Sequence, residues 1–226
     1  LNPTTQKHES SISDLYLSYY SPKFINQLQV PPIKTNLFKS TRRRKAKSIT
    51  IIGLESTLFA HRCDPLPMSS LILNDFDQKI KFIDELGKEF LGDLRIRTYQ
   101  DQGWGLSKKY QERYGKNIID SHKLYSQTIL NSKIIICTYP QTTYSEALIS
   151  GKPTLLLFKS KYWEIDKRYK ILIENMMQEN MIFDDPYNAA KHVRNVYADP
   201  IGWWNNKNIQ NLVYEFQKLC FKKSIN

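Results

Sequence analysis

From residue 48 onward, short apolar runs alternate with longer stretches whose apolar residues recur at helical spacing. The run Ser48-Ile49-Thr50-Ile51-Ile52-Gly53 is apolar and closed by glycine, which predicts a buried strand. Over residues 75–91, Phe76, Ile80, Ile83, Leu86 and Phe90 share one helical face, with Asn74 or Asp75 as the expected cap. Residues 94–99 alternate and predict a strand with one polar face. Residues 117–120 predict a brief strand, and 123–132 a helix. Residues 133–138, with Ile134-Ile135-Ile136, are apolar on both faces, as a central parallel strand should be. A helix over 143–150 stops at Gly151, and 153–158 is the next strand. Residues 164–180 predict a helix and 181–183 a short strand. Asp184-Asp185-Pro186 caps and opens a further helix. Ile209, Leu212, Val213, Phe216 and Leu219 mark an amphipathic C-terminal helix opened by Trp203-Trp204.

Strands that alternate with helices across short connections predict a doubly wound, mostly parallel α/β sheet with helices on both faces. Residues 48–226 are expected to form this Rossmann-like domain. Residues 1–47 have no sustained period, and Pro22, Pro31 and Pro32 interrupt any helix, so an irregular segment or the remnant of a preceding domain is expected there. The stretch from Leu54 to Asn74, with Pro65 and Pro67, reads as a loop long enough to carry function.

Charge is concentrated toward the N-terminus. The 226 residues carry a formal net charge of +11. Residues 1–47 hold nine Lys/Arg and two Asp/Glu, hence +7, and residues 48–226 hold 24 and 20, hence +4. The basic excess sits largely in Arg42-Arg43-Arg44-Lys45 and Lys47, either as a solvated linker or as a peripheral contact with anionic lipid. A mildly basic core argues against a nucleic-acid face. Cys63, Cys137 and Cys220 are too scattered for a disulfide framework, and the chain starts without an apolar leader. A cytoplasmic setting is expected, at the inner face of the membrane if the basic run meets lipid.

Ligands of open α/β sheets bind beyond the carboxyl ends of the strands. The residues there are Glu55 and Ser56 after the first strand, Trp104 beyond the second, His122 after the third, Thr142, Thr143 and Glu146 after the fourth, and Lys159 after the fifth. Polar, aromatic and cationic, they suit a phosphorylated, sugar-bearing ligand. Thr142 and Thr143 stand where a helix begins, and a helix N-terminus favours phosphate. Glu146, one turn inside, would accept bonds from ribose hydroxyls. The same residues also spell a T-x-x-E capping box, which needs no ligand. His122 is the candidate general base. No metal site is expected, because His61, Cys63 and Asp64 lack zinc spacing, no DxD-type carboxylate pair sits at a strand end, and Asp184-Asp185 reads as a helix cap.

Residues 130–158, with Thr143-Tyr144-Ser145-Glu146-Ala147-Leu148 followed by Gly151-Lys152-Pro153, resemble the C-terminal half of GT-B glycosyltransferases, most of all bacterial surface-carbohydrate transferases. Arg97-Thr98-Tyr99, Gly103-Trp104 and Trp203-Trp204 add to the likeness, which covers roughly residues 48–221. It implies a nucleotide-sugar donor as substrate, no cofactor, and a surface polysaccharide or lipid-linked glycan as acceptor. On that likeness Thr142 and Thr143 face the phosphate, Glu146 holds the ribose, and Arg97 meets a diphosphate or an acidic sugar. Nucleotide-sugar epimerases and polyol-phosphate transferases share this half-fold, and a non-catalytic, nucleotide-sugar-binding partner subunit is a further reading. The turn after the first strand, Gly53-Leu54-Glu55-Ser56, departs from the glycine-rich turn of better-known relatives. Residues 1–47 are too few for an acceptor domain, so a truncated product or half of a split enzyme is expected.

Overall fold

A computed structural model of the chain describes residues 6–19, 21–30, 46–53, 58, 69–98, 103–163 and 165–220. The elements in chain order are α1 (Gln6–Ser11), β1 (Tyr16–Ser18), β2 (Gln27–Gln29), β3 (Ser48–Ile52), α2 (Ser69–Leu86), β4 (Leu94–Arg97), α3 (Leu106–Tyr114), α4 (Tyr125–Asn131), β5 (Ser132–Cys137), α5 (Thr142–Ile149), β6 (Thr154–Leu157), α6 (Lys170–Gln178), β7 (Ile182–Phe183), α7 (Pro186–Val196), α8 (Pro200–Trp204) and α9 (Lys207–Cys220).

Five strands form one parallel sheet in the order β4-β3-β5-β6-β7. The predicted strand near 117–120 reduces to a single parallel bridge, Ile119 to Ile96, on the outer side of β4. Central position explains composition: Ile134, Ile135, Ile136 and Cys137 of β5 are all buried, since helices cover both faces. On one face Ile49, Ile51, Ile134, Ile136, Leu155 and Leu157 pack against α2, α3 and α7. On the other, Ile52, Ile135, Cys137 and Leu156 pack against α4, α5, α6 and α9. Each buried Ile or Leu contributes roughly 1.5–3 kcal/mol. The chain therefore adopts a doubly wound α/β fold, as its alternating pattern predicts.

Several local expectations shift. Helix α2 begins at Ser69, so Asn74 and Asp75 lie inside it and neither is a cap. Helix α3 has no counterpart in the sequence reading, because only Leu106 and Tyr110 of its nine residues are buried and the apolar period is too sparse to detect. Trp203 and Trp204 close a separate short helix, α8. Asp199 caps it by accepting from the Gly202 N–H at 2.9 Å, with Pro200 in its first turn. Asp185 caps α7 as expected, accepting from the Asn188 N–H at 2.8 Å. Within the segment read as irregular, β1 and β2 pair in parallel and dock on the far end of α9 through Ser21, whose N–H donates to Leu219 O at 3.0 Å.

Candidate functional site

All strands of the main sheet run the same way, so Gly53, Thr98, Thr138 and Phe158 arrive at one edge. The central strand β5 passes through residues 138–141 into α5. Gln141 stands in the N-cap position with extended backbone, and no side chain among the described residues caps the turn. The T-x-x-E capping box is therefore not formed: Thr143 is the second residue of the helix and cannot cap it. Gln is a poor cap, and among the described residues the amide dipoles of the first turn meet no side-chain oxygen. Thr142 is exposed at this point.

Its two companions turn inward. Thr143 is buried, with Oγ1 2.6 Å from the Tyr139 hydroxyl. The Tyr125 hydroxyl donates to the Thr143 main-chain oxygen at 2.9 Å. Glu146 is 8% exposed, and its charge adds to burial in pushing the Cys137 thiol up. The Thr138 hydroxyl is buried beside them with no hydrogen-bond partner among the described residues. The edge thus presents Thr142 and the first-turn N–H groups outward, while Thr143 and Glu146 are built into the wall.

Under the end of β3 lies a group that the sequence reading missed. Lys79 of α2 is 1% exposed, with Nζ 2.7 Å from Asp75 Oδ2 and 5.6 Å from the centre of the Tyr110 ring. Burial acts to lower the Lys79 pKa, but Asp75 and Tyr110 outweigh it and the ammonium is held well above the ordinary lysine range. A side chain at Gly53 would place its Cβ 2.2 Å from Lys79 Nζ, so the glycine leaves room for the cation. The available signal was the stripe Asp75, Lys79, Phe82 and Leu86, an i, i+4 ion pair on the buried face.

Arg97 and His122 are drawn into one hydrogen-bonded network. The Arg97 Nη1 donates to Asp120 Oδ2 at 3.1 Å, to His122 O at 2.9 Å and to Thr128 Oγ1 at 2.6 Å, and Nη2 to Lys123 O at 3.4 Å. The guanidinium thereby holds residues 120–128 together. His122 places Nδ1 2.5 Å from Asp120 Oδ1 and Nε2 3.1 Å from the Asn131 amide nitrogen. One neutral tautomer satisfies both contacts, with Nδ1–H donating to Asp120 and Nε2 accepting from Asn131. Both ring nitrogens thus have a partner within the chain. His122 lines a cavity of about 320 Å³ with Lys47, Ser48, Asp93, Arg95 and Asn131, toward the amino ends of the strands. Burial acts to raise the Asp120 carboxyl, but hydrogen bonds from Thr128, His122 and Arg97 hold it below the usual carboxylate value.

Of the remaining candidates, Trp104 packs partly buried against the α2–α3–α7 core, between Gly103 (φ 97°) and Gly105 (φ 60°). Lys159 is half-buried just after β6 and reaches the carboxyl edge. Glu55, Ser56 and Arg42 to Lys45 lie outside the described residues, as do His61, Cys63 and Asp64. The lysine of Gly151-Lys152-Pro153 serves the fold. Its Nζ donates to Leu130 O at 3.0 Å and Ser132 O at 3.1 Å, stapling the start of β6 to the α4–β5 junction. No helix among the described residues is long and apolar enough to cross a membrane.

The model of the LIC12162 family transferases matches residues 2–226, and the chain belongs to that family. No curated protein matches it in sequence. Among solved structures it is similar to the wall teichoic acid polymerase TagF, at 15% identity and a TM-score of 0.55 over 94% of this chain and 54% of that one. A TagF variant matches at 15% identity and 0.54 over 97% and 58%. A TagF variant soaked for 30 minutes with CDPG matches at 15% identity and 0.52 over 97% and 57%. The chain therefore spans little more than half the length of these structures. At that identity the likeness is one of fold, and it agrees with the half of a GT-B fold that the sequence resemblance implies.

Proposed function

We propose that this LIC12162 family transferase binds a nucleotide-activated sugar at the carboxyl edge of its sheet and transfers the glycosyl group to a surface polysaccharide or lipid-linked glycan. One observation carries the reading: in a chain that belongs to a transferase family, the helix after the central strand opens on an uncapped first turn beside the exposed Thr142. Such a turn favours an anion, and here that anion would be the donor diphosphate.

The chemistry asked of the chain is electrostatic. First-turn N–H groups and the Thr142 hydroxyl would stabilise charge that grows on the departing phosphate as the anomeric carbon–oxygen bond breaks. Lys159, at the same edge, would add a cation. An acceptor hydroxyl attacks the anomeric carbon while its proton passes to a base, for which His122, with Nδ1 on Asp120, is the candidate. The similarity to TagF, one structure of which was soaked with CDPG, favours a second reading on the same site: transfer of an activated polyol phosphate, with the nucleotide diphosphate held in the same turn.

Thr142→Asp separates donor binding from mere stability. A carboxylate at the first helical position should stabilise the unliganded chain by about 0.3–1 kcal/mol and, by repelling the diphosphate, abolish donor binding. Thermal shifts with UDP-, GDP-, dTDP- and CMP-sugars and CDP-glycerol test this. Stabilisation of the parent chain by one donor, lost in a Thr142→Asp chain that is itself more stable, is expected, and the donor's identity decides between sugar and polyol phosphate. A donor that stabilises both chains equally would place the site elsewhere, and no shift with any donor would remove the reading.

A further inference from the structure

Thr143 is gripped from two sides, and the grip leads back to Arg97. The Tyr139 hydroxyl lies 2.6 Å from Thr143 Oγ1, and the Tyr125 hydroxyl donates to Thr143 O at 2.9 Å. A carbonyl inside an α-helix already receives the N–H four residues on, here that of Ala147, so the Tyr125 bond is not needed to satisfy it. Its effect is to fix where the first turn of α5 sits relative to α4. Tyr125 is fixed in turn: the Arg97 guanidinium lies 5.8 Å from the centre of its ring while bonding the main-chain oxygens of His122 and Lys123, immediately before α4.

We infer that Arg97, Tyr125 and Tyr139 form a positioning clamp on Thr143 that sets the direction of the α5 first-turn N–H groups. Its use to the enzyme rests on the donor site proposed above. The clamp runs from the end of the edge strand β4, through the loop before α4, to the end of the central strand β5. It accounts for a planar, many-donor arginine at position 97, since one guanidinium meets a carboxylate, a hydroxyl, two carbonyls and an aromatic face together. It also accounts for the inward turn of Thr143, whose hydroxyl serves the clamp. None of these side chains needs to touch the donor, so they are positioning residues.

Tyr125→Phe removes one hydroxyl and keeps the ring. In the unliganded chain, amide hydrogen exchange over residues 142–147 should quicken roughly fivefold to tenfold, with α9 amides unchanged. Arg97→Lys should produce the same local quickening, because a lysine keeps the charge but loses the fork and the stacking plane. With whichever donor of the panel stabilises the parent chain, Tyr125→Phe should weaken binding roughly fivefold, in step with the exchange effect. Unchanged exchange at 142–147 in Tyr125→Phe overturns the clamp, as does quickened exchange with unaltered donor affinity. If Arg97→Lys loses donor binding with α5 exchange unchanged, Arg97 contacts the donor directly and the inference is wrong. If no donor binds the parent chain, the donor reading falls, and the exchange result alone still decides whether the clamp exists.

Discussion

Lys79→Met tests how the floor under β3 is held. The substitution keeps the length of the side chain and deletes its charge, leaving the Asp75 carboxylate, 8% exposed, with no counter-ion among the described residues. Among the described residues, Asp75 Oδ2 has no hydrogen bond beyond the ion pair. Removing one partner of a buried pair costs about 3–5 kcal/mol. For a chain of this size, that lowers the melting temperature by roughly 6–20 °C. Replacing both partners, Asp75→Leu with Lys79→Met, removes the stranded charge. The double variant should return to within about 1–2 kcal/mol of the parent, the residue of the loss being the Tyr110 hydroxyl without its charged neighbour. Urea unfolding of the four chains of this cycle, followed by circular dichroism, gives the coupling energy directly. A double variant as unstable as the sum of the two singles would mean that Lys79 and Asp75 act independently, and the account of this buried pair would be wrong.

Other expectations follow from the same geometry. Gly53→Ala forces its Cβ into the place of Lys79 Nζ, and urea midpoints should show an overpacking loss of about 1–3 kcal/mol. Lys152→Met deletes both bonds of the staple to Leu130 O and Ser132 O and should cost about 1–3 kcal/mol by urea unfolding, with helix content by circular dichroism unchanged. The Asp120 carboxyl is held below its ordinary value, so its network contributes stability that is complete above about pH 4 and is lost as pH falls through the lower folded-state value. The urea midpoint of the parent should therefore drop more steeply below that pH than that of Asp120→Asn, and parallel curves would refute the linkage.

How legible the protein was differs between its core and its site. Helix α7 could be placed from Asp185 and Pro186 alone, since an acceptor side chain and a fixed φ act within one turn. Strand β5 could be placed because three successive isoleucines have no solvent-facing alternative. The site was half legible. That the residues after β5 open a helix at the carboxyl edge follows from the parallel order of strands. That Thr142 faces out while Thr143 is clamped does not, because it depends on Tyr125, eighteen residues away along the chain, reaching α5 from a neighbouring helix. The partners of Arg97 and His122 were illegible for the same reason: an ionisable side chain after a strand reads as available until the groups around it are known. For His122 these are Asp120 and Asn131.

The layered α/β architecture, the place of the central strand and the end of the sheet where chemistry would gather were all written in the order of residues. Those properties come from apolar periodicity and chain direction, which are local and repeated many times over. Which polar side chains at that edge remain available, and which are consumed as struts, staples and buried pairs, emerged from the folded arrangement alone. A hydrogen bond joins two positions that sequence spacing leaves unconnected, and burial then makes each such bond costly to break.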